Sequence, residues 1–149
     1  MTERAKRILR FLPSLTDVAF LLPLVFLFAV YNQGLGRMLE GDTGWHIRAG
    51  DWIRANGRVP VVDFFSYSRA GEAWFAYEWL WEVVFSWLHQ LGGITAVVMA
   101  SLLVLCGTTA LLYRLVRRQS GNDLIAIGVV TVAVAATSIH WWARPHMFT

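Results

Sequence analysis

Long blocks of apolar residues constrain this fold more than any other feature of the sequence. Three of them occupy residues 15–32, 94–116 and 124–142. As helices, blocks of this length can cross the roughly 30 Å hydrocarbon core of a bilayer, which needs about 17–25 apolar residues. Apolar residues gathered in blocks, rather than spread at helical or strand period, are typical of membrane proteins. The sequence predicts an all-α fold: a polytopic membrane helix bundle of about three transmembrane helices.

Composition and charge support this class. Charged residues make up 15% of the chain, against about 25% in soluble domains. The net charge of +3 comes from arginines at segment ends, which favours lipid contact and excludes nucleic acid as a partner. Cys106 is the only cysteine, so the chain has neither an internal disulfide nor a cysteine metal motif.

The placement of basic residues predicts the orientation, because cytoplasmic segments are enriched in arginine and lysine. One basic group precedes the first block and another follows the second block: Arg4, Lys6, Arg7 and Arg10, then Arg114, Arg117 and Arg118. The first block is too long for a cleaved signal peptide and lacks a cleavage site. We therefore expect a multi-pass protein of the inner (cytoplasmic) membrane with a cytoplasmic amino terminus.

This orientation divides the chain, treated as a single membrane domain, into seven segments. They are a cytoplasmic basic start (1–14), a first span (15–32), a long outer loop (33–93), a second span (94–116), a cytoplasmic turn (117–123), a third span (124–142) and the start of another outer loop (143–149).

The outer loop carries two candidate interfacial helices. In one, Asp42 or Thr43 can cap the start and Asn56-Gly57 can end it, with Asp51 directed to solvent. The other covers residues 73–91, where acids and tryptophans favour a juxtamembrane helix over a fourth span. The alternative is that residues 73–91 cross the membrane.

The loop also carries the residue types needed to transfer a group from a lipid-borne phosphate. A carboxylate such as Asp42 can take a proton from an acceptor, and arginines can bind the departing phosphate. His46 is a candidate partner of Asp42 or of the phosphate. The other candidate substrate-binding residues on the same predicted side are Arg58, Glu78, Arg144 and His146.

Four stretches of the sequence carry a family resemblance: "GDTGWHIRAGDWI", "GRVPVVDFFSYS", "WFAYEWLWEVV" and "RPHMFT". Together they resemble the amino-terminal part of bacterial polytopic glycosyltransferases of the GT-C class, relatives of protein O-mannosyltransferases and of aminoarabinose transferase. The resemblance implies a polyprenyl-phosphate sugar donor, an inverting transfer and a catalytic loop aspartate, which Asp42 matches by position. Where the best-known relatives have two adjacent acids, this chain has Asp42-Thr43.

These observations lead to one leading hypothesis and one alternative. The leading hypothesis is a membrane glycosyltransferase that moves a sugar from a lipid-linked donor to an unknown acceptor on the outer face. We expect the chain to be a fragment of the full-length enzyme and to be inactive alone. The alternative is a non-enzymatic integral membrane component, either part of a transporter or a scaffold for envelope assembly. No cofactor is indicated, a divalent metal stays open, and the histidine spacing argues against a metallohydrolase.

Overall fold

The computed structural model describes residues 13–144, in which the regular elements are helices and residues 57–78 form a loop with one isolated β-bridge between Val62 and Ala73. In chain order its elements are α1 (Leu15–Val25), a π-helical extension (Phe26–Val30), a 3-10 helix (Gly34–Met38), α2 (Gly41–Asn56), α3 (Trp79–Ser120), α4 (Asp123–Thr137) and a 3-10 helix (Ser138–His140). The described residues form two compact units. The first comprises residues 13–37 with Leu102–Trp141, and the second comprises Met38–Ser101 with residues 142–144.

Two helices are long and apolar enough to cross a membrane, α3 and the stretch Asp123–His140 that contains α4. Only 33% and 22% of their most apolar windows are buried. Large side chains on them stay exposed, including Leu111 at 65% and Leu124 at 80%. A core helix of a soluble protein would bury most of such a surface, so this pattern favours helices that face lipid.

The first apolar block forms a shorter helix than the other two. Ser14 and Asp17 form a capping box that fixes the start of α1. The α-helical and π-helical parts together end at Val30. Leu15–Val30 has 16 residues, fewer than the roughly 17–25 that a spanning helix needs. The structure therefore supports two spanning helices by length, and the predicted count of three spans is not established.

A break inside α3 separates its amino-terminal part from the longer part that follows. Gly92 and Gly93 leave the helical conformation, and Gly93 has φ of 65° and ψ of −162°. A positive φ with this ψ is accessible essentially to glycine alone, so the sequence Gly-Gly permits the break. The break falls directly before residue 94, where the second predicted span starts.

In the second unit, α2 packs against the amino-terminal part of α3. Ile47, Phe85 and Val97 form a buried cluster, with Leu88 packed against it. At Gly50 the two helix backbones approach so closely that an added Cβ would lie 1.9 Å from the carbonyl oxygen of Glu82. The absence of a side chain at position 50 is therefore what allows this packing.

The polar face of α2 contacts polar side chains of α3 as well as solvent. Ser86, which is fully buried, donates a hydrogen bond to Asp51 at 2.7 Å. Arg54 donates to Ser86 at 3.0 Å and to Gln90 at 2.8 Å. Arg54 is exposed and Asp51 is half-buried, so the predicted solvent-facing side of α2 is confirmed for its exposure, but polar side chains of α3 also bind these two residues.

The predicted cap of α2 was also wrong. The N-cap position is Glu40, which makes no side-chain capping bond, and Asp42 lies within the first turn. The end of the helix agrees with the prediction, since Gly57 adopts the left-handed conformation with φ of 63°. This shift at the start leaves the side chains of Glu40 and Asp42 available for another partner.

Candidate functional site

Arg144 lies between two carboxylates at the start of α2. Its Nη2 contacts Oδ2 of Asp42, and its Nε faces Oε2 of Glu40. Asp42 and Arg144 are 102 residues apart in the chain. The charge-based prediction that these two residues share one side of the protein agrees with this direct contact. We call Glu40, Asp42 and Arg144 the carboxylate–arginine cluster.

Two hydrogen bonds to the backbone of Ala143 fix Arg144 in this position. The amide of Ala143 donates to the carbonyl oxygen of Met38 at 2.7 Å. The hydroxyl of Thr43 donates to the carbonyl oxygen of Ala143 at 3.0 Å. Both Thr43 and Ala143 are buried. One bond therefore ties the segment that carries Arg144 to Met38, before α2, and the other ties it to Thr43 in the first turn of α2.

The two charged partners differ in their access to solvent. The side chain of Asp42 is 50% exposed, whereas that of Arg144 is 24% exposed and also lies over the ring of Trp142, at 5.6 Å from the centroid. A half-exposed carboxylate can be reached by an incoming hydroxyl or amine. A guanidinium beside it can hold a phosphate through two parallel hydrogen bonds.

His46 lies one turn after Asp42, but its contacts are with glutamates. Its Nδ1 is 3.1 Å from Oε1 of Glu82, and its Nε2 is 3.8 Å from Oε2 of Glu78. The side chains of His46 and Glu82 are buried, at 5% and 1% exposure, while Glu78 is 34% exposed. Trp45 covers the imidazole with its ring centroid 3.8 Å away. We call His46, Glu78 and Glu82 the histidine–glutamate cluster.

The remaining predicted site residues lie elsewhere or are not described. Arg58 is exposed and lies over the ring of Trp52, 5.8 Å from its centroid. Glu78 and Glu82 contact His46. Arg69 pairs instead with Glu72 at 3.1 Å. His146 lies outside the described residues.

Sequence reasoning missed two members of these clusters. Glu40 was not considered, although its position directly before a helix start is where acids are favoured by the helix dipole. Glu82 is not among the candidate substrate-binding residues from the sequence, yet it is more deeply buried than Glu78. Its spacing of four residues from Glu78 was the available signal. Within residues 13–144, no group of three or more histidine, cysteine, aspartate or glutamate side chains is arranged to hold a metal ion.

Asp63 closes a turn in the loop between α2 and α3. Its Oδ1 accepts hydrogen bonds from the amides of Phe65 at 2.8 Å and Ser66 at 2.9 Å. Hydrogen bonds from the Ser66 side chain and amide, and then from the Phe65 amide, hold the pKa of Asp63 below its ordinary value of 3.8. Asp63 therefore acts as a turn residue, in line with the local role of aspartate in such segments.

The lowered pKa of Asp63 predicts the acid behaviour of this turn. A carboxylate whose pKa is lower in the folded state than in the unfolded state stabilises the fold at pH values above its ordinary pKa of 3.8. That contribution is lost as the pH falls through the lowered pKa. In an acid titration followed by NMR, the amide signals of Phe65 and Ser66 should shift with a midpoint below 3.8. Asp63→Asn should remove this transition, and a midpoint at or above 3.8 in the unmodified protein would contradict the expectation.

Comparison of the chain with protein families, with curated proteins and with solved structures found no match.

Proposed function

We propose that this protein is the amino-terminal part of a membrane glycosyltransferase that uses a polyprenyl-phosphate-linked sugar, with Asp42 as the base. The sequence resemblance to the GT-C class supports the reaction type. The carboxylate–arginine cluster supports the mechanism, because it joins a proton acceptor to a phosphate-binding group. The single observation on which the proposal depends is the contact of Arg144 with the half-exposed Asp42.

The proposed reaction is one inverting displacement. The acceptor's oxygen or nitrogen attacks the anomeric carbon, and the bond from that carbon to the phosphate oxygen breaks. The carboxylate of Asp42 takes the acceptor's proton, while the polyprenyl phosphate leaves with the bonding electron pair. The guanidinium of Arg144 stabilises the negative charge that develops on the leaving phosphate.

The contacts of Arg144 suggest how the cluster responds to the donor. Without a donor, the guanidinium is shared by Glu40 and Asp42. A bound phosphate competes for the same nitrogens, which are suited to its geometry. The donor thereby releases Asp42 from the ion pair in the complex where the base is needed.

In this proposal three helices cross the inner membrane: α1 with its π-helical extension, the part of α3 after Gly93, and the stretch Asp123–His140. The first of these is short and crosses by local thinning of the bilayer. The arginines near the end of α3 then lie in the cytoplasm, as the positive-inside rule requires. The carboxylate–arginine cluster lies at the outer face, where a polyprenyl tail in the bilayer delivers its phosphate to the interface. The exposed Trp79 and Trp87, at 43% and 54%, suit an interfacial position of α3's first part.

A donor assay tests this function. Membranes containing the full-length protein are supplied with radiolabelled sugars on polyprenyl phosphate, and separately with the same sugars on nucleotides. We expect protein-dependent loss of label from the lipid carrier and its appearance in a product that does not extract with lipid. Membranes without the protein provide the control.

Two outcomes of the donor assay would contradict the proposal. Direct use of a nucleotide sugar, with synthesis of the lipid carrier blocked, would exclude the proposed donor class. No transfer from any lipid-linked sugar would favour the alternative, a non-enzymatic membrane component.

A further inference from the structure

A cavity of about 430 Å³ lies beside the histidine–glutamate cluster and does not include Asp42 or Arg144. Its walls combine two kinds of side chain, aromatic rings and carboxylates. They are Trp45, Trp74, Phe75 and Tyr77, with Glu78 and Glu82. A cavity of this volume holds a small molecule or a lipid headgroup.

Glu82 is the least accessible polar group in this cavity. Its side chain is 1% exposed, and its Oε1 is 3.1 Å from His46. Its other oxygen, Oε2, has no hydrogen-bond partner among the described residues. A buried carboxylate oxygen without a hydrogen-bond donor destabilises the folded protein. A ligand that brings an N–H donor into the cavity would remove that cost.

The charges around the cavity favour a cationic ligand. No arginine or lysine is among the described residues that line it. The imidazole of His46 can carry at most one positive charge against the two carboxylates that contact it. The cluster therefore has room for a further positive charge close to Glu82 and Glu78.

The aromatic walls define what kind of cation fits. Trp45 and Trp74 lie edge to face at 6.1 Å between centroids, and Phe75 and Tyr77 stack at 6.1 Å. Ring faces attract organic cations and also cover their carbon atoms. Glu78 and Glu82 are the only carboxylates among the described residues that line the cavity, fewer oxygen ligands than the six or more that a hard metal ion such as Mg²⁺ or Ca²⁺ takes.

We propose that this cavity binds an organic primary ammonium group. The ammonium donates to Oε2 of Glu82 and to the carboxylate of Glu78, and its carbon chain lies against the aromatic walls. The headgroup of an ethanolamine phospholipid and a soluble amine share this chemistry. This site is distinct from the proposed base and phosphate contacts, and ligand binding to it does not require sugar transfer.

Binding is measured by tryptophan fluorescence and by isothermal titration of the full-length protein in phosphatidylcholine nanodiscs. Ethanolamine and ethylene glycol are compared, because they match in size and differ in the ammonium. We expect saturable binding of ethanolamine and at least tenfold weaker binding of ethylene glycol, about 1.4 kcal/mol. Equal binding of the two compounds would overturn the proposal.

A pair of variants locates the binding site. Glu82→Gln keeps the side chain's size and should weaken ethanolamine binding at least about tenfold, in line with the loss of a charge-assisted bond. Glu72→Gln is the matched control, since Glu72 is exposed and pairs with Arg69, and its binding should be unchanged. Should Glu82→Gln unfold, the more exposed Glu78→Gln replaces it. Unchanged affinity in the folded glutamate variant would contradict the assignment.

The lipid composition of the nanodiscs distinguishes the two sources of the ammonium. If the cavity takes a lipid headgroup, adding phosphatidylethanolamine should lower the apparent affinity for soluble ethanolamine by competition. Unchanged affinity would assign the cavity to a soluble amine. Since neither readout involves transfer, failure of this proposal and failure of the glycosyltransferase proposal can be told apart.

Discussion

Replacing Asp42 with asparagine should lower the rate of sugar transfer by about 10²–10⁴-fold, the usual contribution of a general base. Asparagine has nearly the same size and keeps an oxygen that can accept a hydrogen bond from Arg144. It cannot take a proton from the acceptor, so the loss should appear in the transfer rate. Measurement requires the full-length protein in membranes, with donor turnover normalised to the amount of protein inserted.

The matched control for this variant is Asp51→Asn on the same helix. Asp51 accepts a hydrogen bond from Ser86 and lies outside the carboxylate–arginine cluster. Asparagine can still accept that bond, so transfer should stay within about twofold of the unmodified rate, in keeping with the small effects of most substitutions outside key contacts. Full activity of Asp42→Asn, or equal losses in both variants, would remove Asp42 from the role of base.

Replacing Gly50 with alanine should destabilise the second unit by at least about 3 kcal/mol, the upper range for overpacking. The new Cβ would lie 1.9 Å from the carbonyl oxygen of Glu82 and 2.8 Å from the Cβ of Ser86. The first of these atoms belongs to the backbone, so the two helices must separate. Separation would also loosen the contact between His46 and Glu82. Thermal unfolding and protease sensitivity of the purified protein measure the effect.

Gly44→Ala provides the control within the same helix. A Cβ at position 44 meets nothing within 4 Å. Because alanine is the better helix former, this change should be neutral or stabilising by about 0.5–1 kcal/mol. A Gly50→Ala protein as stable as Gly44→Ala would show that α2 and α3 do not approach as closely as described.

The apolar blocks in the sequence predicted the long helices. A long apolar run that enters a bilayer must satisfy its backbone hydrogen bonds within itself, and a helix does so. Periodicity did not predict which polar faces are covered. Asp51 and Arg54 have the pattern of a solvated face and keep access to solvent, yet they also form hydrogen bonds with Ser86 and Gln90 of α3. The pattern within one helix carries no information about the partners that a second helix supplies. The start of α2 was misassigned for a similar reason, since an aspartate suited to capping can instead form a distant ion pair.

The candidate site was accessible to sequence reasoning only in part. The charge rule predicted that Asp42 and Arg144 lie on the same side of the membrane, but it could not predict that they contact each other. The contacts of His46 could not be predicted from the sequence, because its partners depend on how α3 packs against α2. The sequence suggested Asp42 as a partner of His46, but in the structure His46 contacts Glu78 and Glu82. The close approach of α2 and α3 at Gly50 allows these contacts.

The separation of Asp42 from Arg144 along the chain has a consequence for biosynthesis. A ribosome adds about 5–20 residues per second, so the 102 residues between them take about 5–20 s to synthesise. During that interval the aspartate emerges without its guanidinium, and the nascent protein holds no complete pair. The candidate site can thus form only after the apolar helix that precedes Arg144 has been synthesised.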